Sequence, residues 1–216
     1  PALLLMMLTQ WYVNSAYKKY SQVAARSGLT GAQAAQRLIS SSGLYQVRIE
    51  TVRGNLTDHY DPRSKTLRLS AGVAQSPSVA ALAISAHELG HAMQDAENYF
   101  PLRLRAALVP AVNIGSYLGW ILIFIGLMLR MTDLAWLGVL VFAGGAVFAL
   151  ATLPVELNAS ARAKQLLANT GMISGEEERQ GVNRVLNAAA LTYVAGLVTA
   201  IMQLLYFVSL VGGSSR

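Results

Sequence analysis

Three stretches of more than 20 residues carry no charged residue: residues 106–129, 134–155 and 188–211. At 1.5 Å of rise per residue, each is long enough as a helix to cross the ~30 Å hydrocarbon core of a bilayer. Lipid offers the backbone no hydrogen-bond partners, so such segments can only be helical. The first two are separated only by Arg130, Met131, Thr132 and Asp133, which predicts a helical hairpin. Composition agrees, because 13% of the residues are charged where soluble domains run at about 25%. Residues 1–13 are also apolar but fall short of the ~20 that a span needs. They read as the inner part of an N-terminal span whose helix continues into the aqueous phase toward Lys18 and Lys19, with Trp11 and Tyr12 as interface anchors. No small-residue cleavage pattern of a signal peptide follows. The expectation is an α-helical membrane protein with about four transmembrane helices.

If each apolar run crosses once, residues 14–105 and 156–187 share one side. All of the 17 Lys and Arg residues except Arg130 and Arg216 fall there, which predicts that this side is cytoplasmic. The formal charge of +6 is scattered, with no dense basic run or interleaved aromatic platform, so nucleic acid is not expected as a partner. The chain has no cysteine, which excludes disulfides, thiolate metal sites and cysteine catalysis.

The aqueous parts predict a small α+β domain. Thr30 followed by Gln33 is a capping box opening a helix over residues 31–42, stopped by Gly43. Alternating patterns at 47–52, 56–60 and 66–69, separated by turn residues, predict a small antiparallel sheet whose edge can receive an extended peptide. Residues 78–98 then form a proline-free run with alanines, leucine and isoleucine at helical spacing, containing His87-Glu88-Leu89-Gly90-His91. Residues four apart lie on one helix face, so the two imidazoles can grip one metal ion while Glu88 reaches a water at that ion. Neutral imidazole suits Zn²⁺, and two nitrogens plus one carboxylate leave a coordination position open for chemistry. The approach to the motif is small and apolar, so the helix is buried, where unpaired His and Glu would be costly unless a metal satisfied them.

A catalytic zinc needs a third protein ligand. Asp95 and Glu97 are poorly placed on the same helix, His59 is possible, and Glu156 is favoured because an unpaired carboxylate at the end of an apolar span is expensive. The span and a turn at Pro154 would deliver that carboxylate to the aqueous side. Asn158 and Ser160 would then support the ligands. His59 and Tyr193 are candidates for stabilising the oxyanion. Glu176, Glu177 and Glu178 read as a solvated face opening another helix. The expected organisation is an N-terminal membrane helix (1–25), a catalytic α+β part (26–105), a transmembrane hairpin (106–155), a helical segment completing the zinc site (156–187) and a C-terminal transmembrane helix and tail (188–216).

The segments Leu56-Thr57-Asp58-His59-Tyr60-Asp61-Pro62-Arg63, Ala86-His87-Glu88-Leu89-Gly90-His91-Ala92-Met93-Gln94, Leu153-Pro154-Val155-Glu156-Leu157-Asn158-Ala159-Ser160 and the run from Val185 through Tyr193 to Val194 resemble, together, the small bacterial integral-membrane neutral zinc metallopeptidases of the YugP type. The likeness covers essentially the whole chain. It implies a zincin-like domain at the bacterial inner membrane with one Zn²⁺, His87 and His91 as ligands, Glu88 as base, and Glu156 in the family's Leu-Pro-Val-Glu setting. A more distant similarity is to HtpX-like and CAAX prenyl proteases, where an acidic residue lies four positions after the ligand Glu; that position here is Ser160.

The leading functional expectation is a zinc endopeptidase acting on membrane or membrane-proximal proteins, with a peptide or protein substrate, the lipid bilayer and an unidentified regulatory membrane partner as the surroundings to consider. A non-catalytic scaffold retaining a structural zinc is the alternative, and Glu88 speaks against it because a structural site has no use for a base. A transporter is disfavoured, since the spans hold almost no ionisable residues to mark an ion path.

Overall fold

Leu67 and Leu69 are fully buried, and they put the third strand at the centre of the sheet. The structure, a computed structural model, describes residues 2–214. In chain order the elements are α1 (Ala2–Tyr20), α2 (Gly31–Ser41), β1 (Arg48–Val52), β2 (His59–Asp61), β3 (Thr66–Ser70), α3 (Ala71–Ala74), α4 (Val79–Ala96), α5 (Phe100–Met128), α6 (Thr132–Asn169) and α7 (Glu176–Ser214). The strand order is β1-β3-β2. β2 runs antiparallel to β3, but β1 is parallel to it, so the sheet is mixed where alternation predicts an antiparallel one. Burial decides this. β3 is the strand with the most buried side chains and takes two neighbours, while β1 and β2 are largely exposed and form the edges. On the outer face Arg68 reaches both edges, at 3.2 Å to Glu50 and 2.9 Å to Asp61, which fixes the register.

The chain divides into two compact units. One comprises Met7–Tyr99 and Val155–Thr192. Its core joins Leu38 and Ile39 of α2, Leu67 and Leu69 of β3, Leu82 and Leu89 of α4, and Leu167 and Leu186 of the later helices. The capping box at Thr30 and Gln33 is present as expected. Glu178 departs from its expected solvated place: it is buried and accepts hydrogen bonds from the backbone N–H groups of Arg26 (2.7 Å) and Ser174 (2.6 Å). Those donors replace the water it gives up and tie the Arg26 segment to the start of α7.

The other unit comprises Phe100–Pro154 with the described parts of Pro1–Met6 and Tyr193–Arg216. Its centre is an aromatic cluster in which Trp120 and Phe142 meet Phe207 edge-on, with ring centroids 4.7 and 5.0 Å apart. Gly126 lets the hairpin helices close, because a Cβ there would stand 2.4 Å from the backbone nitrogen of Ala135.

Among the described residues, three helices are long and apolar enough to cross a membrane: Phe100–Met128, Thr132–Asn169 and Glu176–Gly213. Side chains such as Phe124, Leu140, Leu150 and Leu205 stand 60–72% exposed on them. Continuous apolar surface of this kind is stable against lipid and not against water. The N-terminal helix is not one of the three; Gln10, Asn14, Lys18 and Lys19 dilute its apolar run. Pro154 makes no turn. It sits inside α6, which continues unbroken to Asn169. Proline removes one backbone donor, and helices in lipid tolerate that loss where nearby groups or local adjustment satisfy the freed carbonyl.

Candidate metal centre

Ser78 caps α4, its hydroxyl accepting from the Ala81 N–H at 3.2 Å. The alanines and leucines that follow are buried, and this leaves His87 and His91 on one partly open face. Opposite runs the C-terminal part of α6, where Val155, Ala159, Ala163 and Leu167 form a fully buried stripe at four-residue spacing. Gly90 sets the approach of the two helices, because a Cβ there would stand 2.6 Å from the carbonyl oxygen of Ala159. The obstacle is backbone, which cannot swing aside. Gly90→Ala is therefore expected to force the helices apart at a cost on the order of 1–3 kcal/mol, and to lower both the melting temperature and the zinc content of the purified protein. A variant with unchanged melting and full zinc would show that the contact does not set the site.

The close approach brings Glu156, one turn before Ala159, to the histidines. Its Oε2 lies 3.3 Å from Nε2 of His87 and 3.5 Å from Nε2 of His91. The side chain of Glu156 is 2% exposed and those of the two histidines 13%. Among the described residues these three are the group of His and acidic side chains able to hold one ion, with ligand atoms within 4.8 Å of one another.

The remaining ring nitrogens are engaged as well. Gln94 is fully buried, and its amide nitrogen donates to the Val155 carbonyl (2.8 Å) and to Oδ1 of Asn158 (2.9 Å). Its Oε1 must therefore accept, and the group 3.0 Å away is Nδ1 of His91. With its proton on Nδ1, neutral His91 turns the lone pair of Nε2 toward a carboxylate oxygen. His87 makes the corresponding contact from Nδ1 to the Ser160 hydroxyl at 3.2 Å. Acceptors facing one another in a buried site repel unless a cation or a proton lies between them. Electrostatics runs the same way at His91: burial opposes a charged ring, but the hydrogen bond to Glu156 and the charges of Glu88 and Glu156 outweigh it and raise the pKa. Donor atoms on a tetrahedral zinc with bonds of about 2.0–2.1 Å stand roughly 3.3–3.4 Å apart. Glu156 stands at about that separation from both imidazole nitrogens, and a donor set of two imidazoles and a carboxylate suits Zn²⁺.

Glu88 is half-buried and outside the donor group, and its Oε2 accepts the backbone N–H of Tyr60, on β2, at 3.1 Å. Asp58 accepts from the N–H and hydroxyl of Ser70. Burial raises its pKa despite those bonds, and the negative charge of Glu88 pushes the same way.

His59 is exposed on β2 and outside the ligand group; its Nδ1 donates to the Thr57 carbonyl at 2.8 Å. Tyr193 belongs to α7, in the unit that holds the aromatic cluster. Asp95 binds Tyr60 and Lys65, and Glu97 pairs with Arg162 at 2.6 Å. Ser160 supports a histidine as the sequence suggests, whereas Asn158 acts one step further out, through Gln94. The sequence reading leaves Gln94 and Tyr60 out. Gln94 had a signal, the one side-chain amide of α4, one turn after His91; the role of Tyr60 depends on its backbone N–H and has none.

The family described as "Putative neutral zinc metallopeptidase" matches residues 1–212. The chain is 46% identical over 207 residues to "Putative membrane protease YugP" of Bacillus subtilis (strain 168), a match covering 96% of this chain and 92% of that protein. No solved structure matches. The match runs through both helices of the donor group, and the chain belongs to this neutral zinc metallopeptidase family.

Proposed function

We propose that the chain is a zinc-dependent endopeptidase of the bacterial inner membrane that hydrolyses peptide bonds of membrane or membrane-proximal proteins from the cytoplasmic side. The observation that carries this is the meeting of His87, His91 and Glu156 next to a separately anchored carboxylate, Glu88. The relative's name, a membrane protease, agrees.

In this reading His87, His91 and Glu156 hold one zinc ion per chain, with Gln94 and Ser160 fixing the rings. Bound zinc supplies Lewis acidity toward the scissile carbonyl and lowers the pKa of water toward ~7. Glu88 takes the proton of the attacking water and delivers it to the leaving amine nitrogen as the C–N bond breaks. A structural zinc has no use for a base, whereas a carboxylate outside the donor group, held by a backbone N–H, suits hydrolysis. His59 can donate to a developing oxyanion from Nε2 only as imidazolium, because its Nδ1 proton is given to Thr57. The cytoplasmic assignment rests on the distribution of Lys and Arg, with Arg130 between α5 and α6 left on the far side.

Sealed membrane vesicles test activity and orientation together. Fluorescein-labelled casein added outside inside-out vesicles is expected to be digested; a chelator should stop the digestion and added zinc restore it. Casein outside right-side-out vesicles should stay intact. Digestion indifferent to chelation would overturn the zinc mechanism, and digestion only by right-side-out vesicles would reverse the orientation.

A further inference from the structure

We propose that Tyr60 is the positioning residue for Glu88, clamping the edge strand β2 to α4 so that the base carboxylate is held in one place. Resting on the reading of Glu88 as the base, the inference concerns how that base is kept in register.

Tyr60 touches α4 at two points. Its backbone N–H donates to Oε2 of Glu88 at 3.1 Å, and its hydroxyl donates to Oδ2 of Asp95 at 2.8 Å. Glu88 and Asp95 are seven residues apart, two turns along one face, or about 10.5 Å of helix. One residue of the strand therefore spans two turns of the helix. Lys65, in the turn that joins β2 to β3, donates to the same Asp95 oxygen at 2.6 Å and balances its charge. The hydroxyl is committed to this acceptor: burial and the bond to Asp95 both raise its pKa, so it stays a donor.

The strand needs such an anchor. β2 is three residues long and pairs along one side only, with β3. Nothing in the ladder fixes its distance from α4, yet that distance decides where the Tyr60 N–H sits and hence where Glu88 is held. A glutamate has three side-chain torsions, and a fixed donor on one oxygen leaves the other presented in a single direction. Displacing a reacting group by ~1 Å can cost on the order of 100-fold in rate.

The test uses the full-length protein in detergent with fluorescein-labelled casein. Tyr60→Phe keeps the ring and the backbone N–H but removes the hydroxyl that fixes the strand. The expected result is a kcat lower by about ten-fold, from partial loss of positioning, with KM and zinc content within two-fold of wild type. Asp95→Ala should lower kcat similarly, and the double variant should be no slower than the worse single one, because both remove the same clamp. Unchanged kcat in Tyr60→Phe, or a fall in zinc content that accounts for the lost rate, would overturn the proposal; so would fully additive effects. Glu88→Gln, run alongside, separates the two levels. If it retains wild-type turnover, the base assignment fails and the clamp with it. If it is inactive while Tyr60→Phe is unaffected, the clamp alone fails.

Discussion

Glu156→Ala is expected to leave a protein that inserts into membranes but no longer retains zinc or digests casein. The carboxylate is 2% exposed and stands 3.3 and 3.5 Å from the two imidazole nitrogens, so in the proposed site it would contribute both the third donor atom and the negative charge that draws a cation in. Losing an outer partner of a metal ligand typically costs 10–100-fold in affinity, and losing the ligand itself should cost more than about 100-fold. Glu156→Gln keeps the volume and removes the charge, which separates the donor's role from packing against the Val155 and Ala159 stripe. Glu156→Asp draws the oxygen back by one methylene and should keep weak binding at best. Zinc content and casein turnover, measured on the same samples, decide the matter. An alanine variant with full zinc and normal turnover would sink the assignment, as would anomalous scattering placing the metal at His59.

Glu88→Gln should behave oppositely toward the metal. The amide oxygen can still accept the Tyr60 N–H, so the local arrangement survives while the proton acceptor is lost. Zinc content should match wild type, and turnover should fall by about 10²–10⁴-fold, the usual contribution of a general base. Undiminished turnover would favour a scaffold over an enzyme. Loss of zinc would instead make Glu88 a ligand.

The histidine pair on one helix face and the three long apolar helices were legible because their signals are local. Four-residue spacing on a helix fixes which side chains share a face, and uncharged runs of 22–24 residues fix the spans. Glu156 could be reached by counting donors, since an acid at the end of an apolar run must find a partner. The direction of β1 could not be read, because it depends on β3 taking the centre of the sheet, a contest settled by burial on both sides of one strand. Pro154 misled for a related reason: proline's effect on a helix depends on whether the surroundings can satisfy the freed carbonyl. Glu178 lay beside two exposed glutamates and looked like them until the loop carrying Arg26 folded over it.

The link from His91 through Gln94 to the Val155 carbonyl has a consequence for the order in which the candidate site is assembled during synthesis. A nascent chain that has completed α4 holds two imidazoles and Glu88, but neither the third donor nor the carbonyl that orients the Gln94 amide. Both belong to residues 155 and 156, which lie beyond α5 and the first half of α6. Until that second apolar stretch has been made, the half-built site can bind metal only weakly and in either ring tautomer. On the proposed reading, the donor group is complete only after the membrane hairpin has been synthesised, so assembly of the site is tied to chain order.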